Sequence, residues 1–252
     1  MNTAYITSTI EQKVATITFY SPNSNSFPSS QLQELTAVIN QLSKNDNITT
    51  IVLKSEGEKA FCAGASFDEL LSIKDTENGK AFFSGFASVI NAMRKSSKIF
   101  VGRVQGKTVG GGVGLAAACD YCFATVDASI KLSELAIGIG PFVIEPAVSR
   151  KIGKTAVAEM SLAAHEWKTA TWAQNHGLYA EVYDSIERMD VEVKDFSARI
   201  SQYNPEALQE IKKVLWEGTD HWDELLVERA EISGRLVLSD FTVQALEQFK
   251  KK

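Results

Sequence analysis

Residues 106–134, GKTVGGGVGLAAACDYCFATVDASIKLSE, constrain this chain more than any other stretch. Three adjacent glycines, Gly110, Gly111 and Gly112, precede an alanine-rich run that is expected to be helical. A helix that opens on glycines presents free N–H groups and the positive end of its dipole with no side chains in the way. Such a place suits an anionic oxygen or a phosphate. Close helix packing is the alternative reading, although three consecutive glycines exceed what packing usually needs. No Gly-Lys-Ser/Thr follows, so this is not a P-loop, and the glycine spacing does not fit the dinucleotide fingerprint.

A second small-residue loop lies upstream, Phe61-Cys62-Ala63-Gly64-Ala65-Ser66. By itself it reads as a tight turn. Paired with the triple glycine, it reads as a second set of backbone donors. Two donors converging on one oxygen make an oxyanion hole, which stabilises charge that develops in the transition state. The candidate base is Glu134, which stands between apolar residues in Leu132-Ser133-Glu134-Leu135, just before Gly138, Gly140 and Pro141. Apolar surroundings raise a carboxyl's proton affinity towards that of a useful base. A helix-capping or ion-paired glutamate is the alternative. A Ser-His-Asp hydrolase is a poor fit, because His165, His176 and His221 all come late and none stands beside a nucleophile elbow.

The rest of the chain alternates strands and helices, which indicates an α/β fold. Runs 5–10 and 14–20 read as a hairpin, 49–54, 98–104, 119–124 and 177–183 as further strands, and Asn78-Gly79 as a break between two helices. Beyond residue 184 the pattern is helical throughout. With 252 residues and 44% apolar content, a sizeable core is available, and a net charge of −5 argues against a nucleic-acid surface. No apolar run has the length of a membrane span, and the N-terminus lacks the pattern of a signal peptide. Three cysteines, Cys62, Cys119 and Cys122, indicate a reducing compartment, so a cytoplasmic location is expected. Cys119 and Cys122 have C-x-x-C spacing but lack a second pair or histidines for zinc, and they read as structural. No metal site is expected.

In combination these motifs resemble the crotonase (enoyl-CoA hydratase/isomerase) superfamily. The resemblance rests on Phe61-Cys62-Ala63-Gly64-Ala65, Gly106-x-x-x-Gly110-Gly111-Gly112, Cys119-Asp120, Ser133-Glu134 with Gly138, Gly177-Leu178, and the tail from Ser239-Asp240-Phe241 to Phe249-Lys250-Lys251. It covers nearly the whole chain in the family's order. It implies a spiral of ββα units over residues 1–184, which binds acyl-CoA. It also implies a helical C-terminal region over 185–252 that assembles a homotrimer or a dimer of trimers. The implied substrate is an acyl thioester of coenzyme A, so coenzyme A enters as substrate and no separate cofactor is expected. Ala65 and Gly111 match the oxyanion-hole positions, and Glu134 matches the second catalytic glutamate.

The departures from the family pattern carry information. Hydratases of this kind place a first glutamate two residues after the triple glycine, where this chain has Gly114. Glu145, in Phe142-Val143-Ile144-Glu145-Pro146, is a possible secondary acid or an ordinary residue at a helix start. One base is sufficient for shifting a double bond, so the resemblance points towards an isomerase that works through Glu134. A hydratase with a substitute acid, acting on a branched or carboxylated substrate such as a methylglutaconyl thioester, and a non-catalytic acyl-CoA-binding protein are the alternatives. For the coenzyme A end, Lys59, Ala63, Gly64 and Lys250 are the candidates, and solvated lysines are an equal reading of the first and last.

Overall fold

The computed structural model describes residues 3–250, with side chains through residue 248. The chain begins with the expected hairpin, β1 (Tyr5–Glu11) and β2 (Val14–Tyr20), paired antiparallel from Tyr5↔Tyr20 to Glu11↔Val14. After α1 (Ser29–Ser43) a repeating pattern sets in. Strands β3 (Thr50–Ser55) and β4 (Ala60–Cys62) lead into α2 (Phe67–Ser72) and α3 (Thr76–Lys95). Strands β5 (Ile99–Val104) and β6 (Lys107–Val109) lead into α4 (Gly111–Ala118). Strands β7 (Tyr121–Thr125) and β8 (Ile130–Lys131) lead, through a short 3-10 turn Glu134–Ile137, into α5 (Glu145–Leu162). Helix α6 (Ala170–Asn175) and β9 (Glu181–Tyr183) follow, then α7 (Ile186–Ile200), α8 (Pro205–Leu215), α9 (Trp222–Leu236) and α10 (Asp240–Lys250).

Each repeat sends its first strand to one sheet and its second to another. The larger sheet runs β1-β2-β3-β5-β7-β9 and the smaller runs β4-β6-β8. From β2 onwards all pairings in the larger sheet are parallel. Parallel strands covered on both faces read as continuous apolar runs, and β5 accordingly is buried at every residue. One face packs on α1, α3, α4 and α5 around Phe27, Leu35, Ile90, Met93, Leu115 and Val148. The opposite face, with Val52, Ile99, Val101 and Phe123, is covered by Met189, Val193 and Ile200 of α7 and Leu208 of α8. A third cluster joins Leu70, Phe82 and Ile139 to Val237 and Leu246 in the C-terminal helices.

Several elements differ from the sequence expectation. Asn78-Gly79 does not break a helix. Asp75 caps α3 through a bond from Asn78 N–H (2.8 Å), and Gly79 is there because α9 crosses it closely: a Cβ at 79 would lie 2.8 Å from Gly234 Cα. The smaller sheet has strands of only two or three residues, too short to show a period-2 pattern, and the sequence reads them as loop. The last strand is limited to Glu181–Tyr183, because Gly177 takes positive φ to end the preceding turn.

The C-terminal helices are anchored to the repeats by a buried polar cluster. Lys212 on α8 donates to both Asp120 carboxylate oxygens (2.9 and 2.7 Å), which also accept from Trp216 Nε1 and the Phe100 N–H at 2.8 Å each. Lys151 Nζ meets the Asp120 carbonyl at 2.8 Å. Asp120 is therefore a structural acid. Cys62, Cys119 and Cys122 are free and buried, and Arg103 is taken up by a bidentate pair with Asp190 (2.7 and 3.0 Å).

Candidate active site

The two glycine-rich loops meet because β4 and β6 are neighbours in the smaller sheet. Ala60 pairs with Lys107 and Cys62 with Thr108, which puts the end of β4 beside the end of β6. Beyond the strands, the backbones come close. A Cβ at Gly64 (φ +89) would lie 3.2 Å from Val109 O and 3.5 Å from Gly111 N. A Cβ at Gly112 would meet Cys62 O at 2.5 Å. These glycines are required by close approach of backbone to backbone.

The flanking amides are already committed. Ala63 N–H donates to Ser24 O (3.1 Å), Gly64 N–H to Cys62 Sγ (3.3 Å) and Gly110 N–H to Lys131 O (2.9 Å). Among the described residues, the N–H groups of Ala65 and Gly111 donate to no protein acceptor. Ala63, Gly64, Ala65, Gly110 and Gly111 all line one cavity of ≈ 160 Å³. Gly111 is the first residue of α4, so the helix dipole adds to its N–H there. Phe86 backs the loop, since a Cβ at 111 would fall 2.3 Å from Phe86 Cζ.

Glu134 lines the same cavity and opens the 3-10 turn that follows β8. Strand β8 pairs with β6 through Thr108↔Ile130 and Val109↔Lys131, so the smaller sheet also fixes the acid relative to the glycines. A Cβ on Gly110 (φ +53) would lie 2.9 Å from Glu134 Oε1, which shows how closely the carboxylate lies against the loop. The residue as a whole is half-buried, yet Oε2 is screened from solvent and has no hydrogen-bond partner. Burial pushes the Glu134 carboxyl up to about 7. An acid with that proton affinity exchanges protons readily near neutral pH.

Gly114 stands at the position where the resemblance implies a missing first acid, and its surroundings are filled. A Cβ there would stand 2.5 Å from Ile144 Cγ2 and 2.8 Å from Ile144 Cβ. Ile144 is 3% exposed and itself lines the cavity. Glu145, the possible secondary acid, does not line it: Oε1 accepts from Ser149 Oγ at 2.5 Å, one turn along α5. The rest of the wall is apolar, including Leu70, Phe82, Phe83, Ile139 and Val143. The sequence treats Ile144 only as part of an apolar run, because contact with Gly114 spans thirty positions and leaves no local signal.

Lys59 lies apart from the cavity, on a surface depression with Tyr20, Asn25, Glu56 and Glu58. Its carbonyl accepts from Lys107 N–H (3.1 Å). The Lys250 side chain, with Lys251 and Lys252, lies outside the described residues. Lys107 and Lys131 stand over the Trp167 ring at 5.2 and 5.5 Å.

Comparison with known proteins gives the geometry a context. The family model described as enoyl-CoA hydratase/isomerase matches residues 9–241. The chain is 27% identical over 245 residues to a short-chain-enoyl-CoA hydratase of Clostridium acetobutylicum, covering 96% of this chain and 93% of that protein. It is 27% identical over 197 residues to a peroxisomal Δ(3,5)-Δ(2,4)-dienoyl-CoA isomerase of Arabidopsis thaliana, covering 72% and 69% respectively. In fold it is similar to the crystal structure of an enoyl-CoA hydratase from Bacillus halodurans, with a TM-score of 0.90, 21% identity and coverage of 97% and 99%.

Proposed function

This chain belongs to the enoyl-CoA hydratase/isomerase family, and we propose that it shifts a double bond, converting a 3-enoyl-CoA to a 2-enoyl-CoA with Glu134 as the single proton carrier. In this reading the thioester carbonyl oxygen accepts from the N–H groups of Ala65 and Gly111. Those bonds make the α proton more acidic and strengthen as charge moves onto the oxygen. Glu134 takes the α proton, and the electron pair spreads through the double bond into a dienolate. The same carboxyl then returns the proton to the γ carbon, which leaves the double bond at carbons 2 and 3. No atom is gained or lost.

The observation that carries this reading is that Glu134 faces the cavity with no second acid among its described residues. Adding water to a double bond requires a held water with two or more polar partners. The volume beside Gly114 holds Ile144, and Glu145 is engaged with Ser149. Support for hydration by a substitute acid is correspondingly thin. The non-catalytic reading is disfavoured by Glu134 itself, since a buried carboxyl oxygen, Oε2, without a partner costs stability that binding alone would not require.

The test is to offer purified protein 3-enoyl-CoA and 2-enoyl-CoA separately and to follow product by chromatography. Formation of 2-enoyl-CoA from the first, with the second unchanged, is expected. Water addition to 2-enoyl-CoA at a comparable rate would overturn the reading. The assembly we propose is a homotrimer or a dimer of trimers through residues 185–252. Support comes from the exposed apolar side chains Ile211, Val214 and Leu215 on α8 and Phe241 and Val243 on α10. Light scattering of the purified protein measures it directly.

A further inference from the structure

Away from the candidate active site, a separate cavity encloses a buried cation. Lys98 stands just before β5 and is 4% exposed. Its backbone N–H donates to Ser96 Oγ at 3.1 Å, but among the described residues its ammonium group has no ion pair and no hydrogen bond. Lys212, similarly buried, is by contrast paired with Asp120 at 2.7 Å. Burial lowers the Lys98 pKa, against the field of Asp46. An ammonium group taken out of water without an anion is strongly unfavourable.

The cavity that Lys98 lines has a volume of ≈ 260 Å³ and shares no lining residue with the one around Glu134. Its walls come from three parts of the chain: the turn after α1, the entry to β5 and the start of α8. Ser97 brings a hydroxyl and Gln209 an amide, so further donors stand beside the cation. Asp46 is the one acid on the wall, and it is exposed, where water screens it. Helix α8 begins at this wall with Pro205. Asn204 Oδ1 already accepts from the N–H groups of Glu206 and Ala207 (2.9 and 3.4 Å), so the helix adds the field of its dipole rather than free donors.

We propose that this cavity binds a small oxyanion, a carboxylate or an inorganic phosphate, held by the Lys98 ammonium group with Ser97 and Gln209, and that the occupant fastens α8 to the repeats. A neutral occupant such as water would leave the buried charge uncompensated. An oxyanion compensates it through charge-assisted hydrogen bonds in a space where they are stronger than in water.

The test uses the full-length protein in Tris chloride, titrated at fixed ionic strength with sodium phosphate and, separately, with sodium acetate. Thermal unfolding and calorimetry are the readouts, and none depends on turnover, so they stand apart from the reaction proposed above. A midpoint that rises with anion concentration along a one-site curve is expected, and the more effective anion tells phosphate from carboxylate. Lys98→Met keeps the apolar stem and removes the charge. It should weaken the anion's affinity at least about tenfold. Without anion it should unfold at a higher temperature than wild type, because no unpaired ammonium group is left buried. Asp46→Asn removes the competing acid at an exposed position and should tighten binding. A midpoint that moves with neither anion, an equal response of Lys98→Met and wild type, or unchanged affinity in Asp46→Asn would overturn the proposal.

Discussion

The contact between Gly114 and Ile144 allows a quantitative test of how the first-acid position is filled. Alanine at 114 would put a Cβ 2.5 Å from Ile144 Cγ2 and 2.8 Å from Ile144 Cβ. Unstrained carbon–carbon contact lies at about 3.5–4.0 Å, so Ile144 must move by roughly 1 Å. Overpacking of this kind costs about 1–3 kcal/mol. Alanine in place of glycine inside a helix recovers about 1 kcal/mol, so Gly114→Ala should lower stability by about 0–2 kcal/mol. Ile144→Ala leaves a cavity and should cost about 2–5 kcal/mol. In the double variant the new Cβ enters the vacated space and the clash is gone. The double variant should therefore be more stable than the sum of the single effects by about 1–3 kcal/mol. Urea unfolding of the four proteins at one pH gives the coupling directly, provided the m-values agree. Additivity to within about 0.5 kcal/mol would refute the contact as the reason for glycine here.

Other outcomes follow from the same geometry. Because Glu134 must be ionised to act as base and its carboxyl is pushed up to about 7, kcat/KM on 3-enoyl-CoA should fall about tenfold per pH unit below that value, as a pH–rate profile would show. The folded state holds the Glu134 proton up to about 7 and the unfolded state releases it near 4.5, so the folded protein binds more protons between those values. This group's contribution to stability therefore declines as pH rises through that window, by roughly 3 kcal/mol, and Glu134→Gln should remove the decline in unfolding curves taken across it. Lys212→Met leaves the Asp120 carboxylate buried without its cation and should cost about 3–5 kcal/mol in urea unfolding, partly restored by adding Asp120→Asn.

The parts of this fold legible in the sequence are those with local causes. The hairpin alternation, the apolar stripe of α1 and the long runs of β3, β5 and β7 each follow from residues within one element. Glu134 stands out in the sequence as a carboxylate in apolar company, whereas Ala65 and Gly111 come from the family resemblance, and the structure brings all three to one cavity. Features that depend on distant partners were not legible. Gly79 reads as a break until α9 is seen lying on it, with Gly234 at the crossing. The smaller sheet is invisible because its strands are held by neighbours rather than by pattern. Glu145 is a candidate acid by proximity in sequence, but α5 turns it towards Ser149. Ile144, which fills the space beside Gly114, gives no sign of that in its own surroundings.

The central claim is that one carboxyl both removes and returns the proton. It is tested most directly by a single turnover of 3-enoyl-CoA deuterated at the α carbon, in ordinary water, with the product analysed by mass spectrometry and NMR. Glu134 Oε2 is shielded from solvent, so part of the label should be carried from the α carbon to the γ carbon of 2-enoyl-CoA. Glu134→Gln should lower the rate by about 10²-fold or more. Complete loss of the label to water, or a product hydroxylated at the β carbon, would contradict the account.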